Sequence, residues 1–321
     1  AEVHSHCRIG WVALPGRLEG AHQHHGFRCC SLGGIRGGDR NDEVVLGAAE
    51  LIREVLQDAP IASSDATQAA ATEAVVLVRS FQAVWQRDPA DAAVAVDLSD
   101  LFNGRQPIHA GVWAVDIPQR IAAVMPAIAR LPLPCVLALE AHLAICWYLG
   151  SQLHLKTGLP VKVRQRGAAG EAIWDLSTAR LPKGSADWQL SERELGRGNE
   201  LALVLSVSHN ADADAQRAIE ALELPIGWVV HASLPIPGEA AVTDGPHARW
   251  LAESLVRQVR ERVVVHLPPK RHLVAACPAG LMLLLGQRAQ ALCSATTVYE
   301  FGFDDAGRGY WPGMGIGLGE G

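Results

Sequence analysis

The chain has 321 residues, a formal net charge of -6, and 49% hydrophobic against 19% charged residues. That is length and apolar content for about two globular domains, and it excludes a disordered chain. A mildly acidic chain also lacks the broad basic face that wraps long duplex DNA, although a local cluster of Lys, Arg and backbone N–H groups still suits a small anion.

The apolar runs at 281–285 and 134–149 fall short of the roughly 18 uninterrupted residues of a membrane helix; Glu140 and His142 break the second. The opening AEVHSHCRIGW has neither the charged start nor the apolar stretch of a signal peptide. It has no initiator Met either, which fits a piece of a longer protein. The cysteines are seven, an odd number without framework spacing, and several stand in apolar runs. A reducing cytoplasm and no membrane association are expected.

In chain order, residues 1–60 are irregular and rich in Gly, His and Arg, with one helix beginning near Glu43 behind the cap Asp42. A second helix is expected over 65–86 behind Ser64, from the apolar spacing of AATEAVVLVRSFQAVW. AAVAVDL reads as a buried strand, IPQRIAAVMPAIARL as a helix containing Pro126, VLALEAHLAICWYLGSQL as strand then helix, and VKVRQR as a strand. The polar, Gly-rich segment 167–198 reads as a joint. Beyond it come ELALVLSVS (strand), DADAQRAIEALEL (helix), IGWVVHASL (strand), ARWLAESLVRQVRER (helix) and RVVVHL (strand). The turn PPKRH, the helix AGLMLLLGQRAQAL and the strand TTVYEF follow. Such alternation argues for parallel sheets covered by helices.

An internal repeat organises these elements. VLALEAHLAICWYLGSQL from Val136 matches HLVAACPAGLMLLLGQRA from His272 at an offset of 136, with Leu137 on Leu273, Leu149 on Leu285 and Gly150 on Gly286. VKVRQ then falls over TVYEF with little or no shift, and Trp174 falls near Tyr310. Two copies of one unit usually pack about a pseudo-twofold axis. The seam lies where open α/β sheets bind ligands, beyond the carboxyl ends of their strands.

The run VVVHLPPKRHLVAACPAGLMLLLGQR, then TTVYEF and GYWPGM, resembles the SAVED domain, a fusion of two CARF-like halves. LALVLSVSHNADADAQRAIEAL and GWVVHASL fit its second half, and AVDLSDLF, VLALEAHLAICWYLG and VKVRQR fit its first half more loosely, over about residues 92–313. The resemblance implies an α/β fold of two CARF-like Rossmannoid halves in pseudo-twofold relation behind a partly helical N-terminal segment. The expected division is 1–90, 91–198 and 199–321. The resemblance also implies binding of a cyclic oligonucleotide, commonly a trinucleotide. Ligand-driven head-to-tail association of protomers would follow and would switch on an antiviral effector domain or protein, in a CBASS or type III CRISPR setting. No cofactor is required.

A cyclic trinucleotide needs donors and positive charge for its phosphates and flat or apolar walls for its bases. Ser206, Ser208, His209 and Asn210 follow one strand, and His231 and Ser233 lie at the end of the next. Lys270 and Arg271 precede the stretch leading to Cys277, Pro278, Ala279 and Gly280, where small residues let a ligand approach the backbone. In the first half Asp97, Ser99, Glu140 and His142 hold the comparable ends, with Glu140 and His142 replacing Ala276 and Pro278. Each of these residues has an ordinary reading as a turn or satisfied hydrogen-bonding residue.

The N-terminal donors His4, His6, Cys7, His22, His24, His25, Cys29 and Cys30 could take zinc, but their spacing matches no finger. HExxH, GxSxG and GxxxxGK[ST] are absent, and RGGDRNDE reads as a loop before a helix cap. No catalytic residue is assigned. Three alternatives stay open: an enzyme that cleaves its own cyclic ligand, an effector nuclease or peptidase governed by that ligand, and a periplasmic-binding-like sensor of another small molecule.

Overall fold

The computed structural model describes residues 73–81, 89–153, 157, 159–167, 170–263, 268–292, 295–303 and 309–316. All lie in one compact unit, Ala69–Gly321. The helix expected from Glu43, the His/Cys cluster and RGGDRNDE lie outside the described residues.

The first half runs β1 (Val75–Arg79), β2 (Val94–Asp97) and a short hairpin of β3 (Phe102–Asn103) and β4 (Gln106–Pro107). A π turn at Val112–Asp116 leads into α1 (Ile117–Ala129), followed by β5 (Cys135–Glu140), α2 (Leu143–Gln152), β6 (Val161–Gly167) and β7 (Gly170–Asp175). The second half runs β8 (Gln189–Glu194), β9 (Glu200–Ser206), α3 (Asp212–Ala221), β10 (Ile226–Ser233) and α4 (Gly245–Val263). It ends with β11 (Lys270–Ala276), α5 (Ala279–Gly286), β12 (Ala295–Gly302) and β13 (Gly309–Ile316).

The two main sheets share one topology. The first has the order β2-β1-β5-β6-β7. The second, read the same way, is β10-β9-β11-β12-β13, with β8 added outside β10. In both, the first four strands of that order are parallel and the fifth is antiparallel. The duplication read from residues 136–153 and 272–289 therefore extends over a whole sheet. Register refines it: Leu137 pairs with Val163 and Leu273 with Val298, so β6 and β12 correspond at an offset of 135, one residue from the offset of the preceding helices.

Packing explains the layering. LAICWYLGSQ and AGLMLLLG are apolar nearly all round, a pattern that only a helix covered on every side can carry. Most of α2 and all of 280–286 are buried, in a core cluster that joins both sheets. Along β9, Leu201, Leu203 and Leu205 face that shared core, while Ala202 and Val204 face a separate cluster under α3.

Three expectations are corrected. Val75–Arg79, expected inside a helix, is a strand between β2 and β5; the first four of its five residues VVLVR are β-branched or apolar, and residues 76–79 are buried. The first sheet thus draws on chain ahead of residue 91. The segment 167–198 carries β7 and β8 besides its loops, and β8 joins the second sheet ahead of residue 199. RVVVHL is no strand where it is described: α4 runs on to Val263, and the strand is KRHLVAA, read in part as a turn.

Candidate functional site

α2 follows β5 and α5 follows β11 after two residues each, so the carboxyl ends of these parallel strands emerge beside the two helix N-termini. Corresponding last rows differ between the halves. In the first sheet, register aligns Asp97, Arg79 and Glu140. In the second it aligns Ser233, Ser206 and Ala276. One row is a guanidinium between two carboxylates, and the other is small and uncharged.

In the second half, Ser206 Oγ accepts the Ala211 N–H at 2.9 Å and lies 2.8 Å from His231 Nε2. The Ser206 hydroxyl is buried, so the Ser–His pair braces the turn into α3 and presents no surface nucleophile. Burial lowers the His231 pKa below its ordinary value, so the ring is neutral at pH 7. Asn210 Oδ1 accepts the Asp212 N–H at 3.0 Å, tying down the first turn of α3. His209 and Asn210 are exposed, and Ser208 and Ser233 are half-buried. Pro278 and Ala279 are half-buried at the start of α5, whereas Gly280 and Cys277 are buried; burial pushes the Cys277 thiol up to about 12.

In the first half, Arg79 Nε donates to Glu140 Oε2 at 3.1 Å, and Arg79 Nη1 stands 4.0 Å from Asp97 Oδ2. Ser99 turns back on Asp97, whose Oδ1 accepts both its N–H and its hydroxyl, at 2.9 and 2.6 Å. His142 is wholly buried. Its Nε2 donates to the Arg105 carbonyl at 3.1 Å, which leaves Nδ1 to accept from Ser80 Oγ at 2.7 Å; Ser80 Oγ in turn accepts the His142 N–H at 2.9 Å. Desolvation, helped by Arg105, pushes its pKa down to about 3. His142 is a neutral corner post.

Lys270 and Arg271 begin β11 and so stand at the other end of that strand from Ala276. Six residue steps of strand separate Lys270 from that end by roughly 20 Å. Arg271 is also buried, with Nη2 donating to the Leu292 carbonyl at 3.0 Å. The surface beyond the strand ends does not include this pair, because a basic pair before a strand lies at its amino end.

The seam holds residues that the sequence reading passed over. Gly280 N–H, at the N-terminus of α5, donates to Gln165 Oε1 on β6 of the first half at 3.0 Å. Ala144 N–H, at the N-terminus of α2, donates to Glu300 Oε1 on β12 of the second half at 2.5 Å. Gly280 corresponds to Ala144, and by strand register Glu300 corresponds to Gln165, so each half caps the other's central helix. Glu300 is buried, and desolvation pushes its carboxyl up to about 7 against the lowering effects of the Ala144 N–H and Arg105. Above it, Arg105 lies over Phe81 and Phe303, with its guanidinium carbon 5.0 and 5.2 Å from the ring centroids. A strict one-residue shift of the repeat beyond the helices was the signal for the Gln165–Glu300 pair.

A cleft of about 150 Å³ opens at the first-half strand ends between Phe81, Glu140, Arg164, Gln165, Arg166 and Glu171. That is below the usual range of roughly 300–1,000 Å³ for small-molecule pockets. The α2–α5 seam below is closed by direct backbone packing at Gly150 and Gly286. The two helices leave no room between them at these glycines. A separate cleft of about 360 Å³, near Val161, Lys162 and Arg249, opens at the amino end of β6. Among the described residues no His/Cys/Asp/Glu group could hold a metal ion, and no helix is long and apolar enough to cross a membrane.

A family model described as SAVED, the SMODS-associated and fused to various effectors sensor domain, matches residues 117–316. CD-NTase-associated protein 4 of Enterobacter hormaechei subsp. hoffmannii (strain UCI 50) is 27% identical over 212 residues, covering 65% of this chain and 41% of that protein. The Acinetobacter baumannii Cap4 SAVED/CARF-domain containing receptor with the cyclic trinucleotide 2'3'3'-cAAA superposes at a TM-score of 0.57 and 13% identity, over 86% of this chain and 56% of that one. The same receptor with 3'3'3'-cAAA gives 0.56 and 12%, over 77% and 52%. These superpositions establish the shared fold. The chain spans less than half of the curated relative and little more than half of the receptor.

Proposed function

The chain belongs to the SAVED sensor-domain family, and from that membership we propose that it senses a cyclic oligonucleotide lying across the carboxyl ends of both sheets. The carrying observation is the doubled sheet topology with its crossed caps, Gln165 to Gly280 and Glu300 to Ala144, which bring two sets of strand ends to one surface that neither half makes alone. A ring larger than a dinucleotide suits a surface assembled from two halves, and the trinucleotides held by the Acinetobacter receptors support that size.

The second half offers the uncharged side, with Ser208, His209, Asn210, Ser233, Pro278 and Ala279. The hydroxyls and the Asn210 carboxamide there suit phosphates and base edges. The acidic row Asp97–Arg79–Glu140 makes the first half a poorer phosphate surface at those positions, so contacts to the ring are asymmetric. Bound ligand would complete a face onto which the next protomer docks head to tail, and the assembly would report to an antiviral effector. Isothermal titration with cyclic di- and trinucleotides tests the reading, with light scattering in parallel. Binding accompanied by growth in particle mass is expected. No heat with any cyclic nucleotide at high protein concentration removes the reading.

A further inference from the structure

Arg105 sits at the two-residue turn between β3 and β4, where Gly104 takes the left-handed φ of 62° that tight hairpins need. Its carbonyl is fixed by His142 Nε2. Its guanidinium carbon lies near the rings of Phe81 from the first half and Phe303 from the second, and Phe303 is itself braced by Phe301, with centroids 5.0 Å apart. The group is thus held in place from both halves, yet its donors are poorly used. Nε is buried without a hydrogen-bond partner, and Nη2 stands 3.8 Å from Glu300 Oε2, beyond hydrogen-bond reach. The side chain remains 31% exposed.

We propose that Arg105 is the cation that takes a phosphate of the ligand at the seam, presented by Phe81 and Phe303 and backed by Glu300. The inference rests on the sensing function above and names a contact within it. A guanidinium lying against rings keeps its N–H edge for a planar or tetrahedral oxyanion, which accepts two parallel hydrogen bonds. Glu300 is a weak competitor for that edge. One of its oxygens is committed to α2, and burial holds its pKa near neutrality. The other titratable groups interacting with it, Cys146, Cys277 and Tyr310, are shifted upward by burial and carry no charge at pH 7. The neighbouring cleft that Phe81 also lines sets Arg164 and Arg166 against Glu140 and Glu171, so its charges balance and Arg105 is the cation that stands over the seam.

The test takes the tightest binder from a set of cyclic di- and trinucleotides and titrates it against the protein at low and high salt. Arg105→Gln is expected to weaken binding by about tenfold or more at low salt. It should also flatten the dependence of log K on log salt by roughly 0.7, the share of one phosphate contact. Arg105→Lys keeps the charge but not the paired donors, and is expected to keep the slope while losing part of the affinity. Lysine also guards against misfolding of the glutamine variant, and thermal unfolding of each variant reports its fold. Wild-type binding that Arg105→Gln leaves unchanged in affinity and slope overturns the assignment to Arg105 alone. Wild-type protein that binds none of the nucleotides overturns the sensing function and this contact together.

Discussion

Gly150 and Gly286 lie on each other's helices as twofold mates. A Cβ on Gly150 would run into the carbonyl oxygen of Leu283, and one on Gly286 into that of Trp147. The differences 286 − 150 and 283 − 147 are both 136, the offset of the repeat. The pseudo-twofold axis therefore passes through a contact in which two backbones touch without side chains between them.

Alanine at either glycine forces α2 and α5 apart. Gly150→Ala and Gly286→Ala are each expected to lower stability by about 1–3 kcal/mol, as overpacked cores do. The double variant should cost less than the sum, because the first methyl already opens the shared contact. Denaturant unfolding of the three variants checks both statements.

Glu300 makes stability pH-dependent. Its folded pKa near 7 exceeds the unfolded value of about 4.3. Between those values the folded chain keeps a proton that the unfolded chain has lost, so stability falls as pH rises through the window and the loss is complete above it. Glu300→Gln keeps an acceptor for Ala144, as Gln165 does for Gly280. It is expected to remove that slope and to raise stability at pH 8 by something on the order of 2 kcal/mol. Unfolding free energies of both proteins across pH 4–8 decide it; parallel curves would refute the buried-acid account.

Ser80 holds His142 from two sides. Ser80→Ala leaves the buried His142 N–H and Nδ1 without their partner, at an expected cost of about 1–3 kcal/mol. Thermal unfolding measures the loss. Because both residues are internal, nucleotide affinity per folded molecule should stay near that of the wild type.

Asp97 places a carboxylate at the first-half strand ends, 45% exposed. Asp97→Asn removes repulsion toward a polyanion and is expected to raise cyclic-nucleotide affinity about two- to fivefold at low salt, with the gain shrinking as salt screens it. Titrations at two ionic strengths would show this, and a gain that persisted undiminished at high salt would point away from electrostatics.

Cys135, Cys146 and Cys277 are buried, and burial raises the pKa of each thiol. These three should ignore a thiol reagent at neutral pH in the folded protein and react once it unfolds. Peptide mapping after labelling distinguishes them from the other cysteines.

The one-dimensional pattern was sufficient for most elements and for the duplication. Helix and strand periods, and an apolar Leu-Gly run appearing twice, depend on neighbours in sequence, and so β5, α2, β9, α3, β10 and α5 stood where expected. VVLVR was misread because a short apolar run satisfies either period, and only pairing with β2 and β5 made it a strand. Tertiary structure alone decided which candidates share a surface. Lys270 and Ala276 belong to one strand yet stand at its opposite ends, while Arg105, Phe81 and Phe303 meet from distant stretches of chain. A linear pattern records which face a side chain takes; it carries no record of which strand ends a second copy of the fold brings together, because that depends on how the two sheets pack across the core they share.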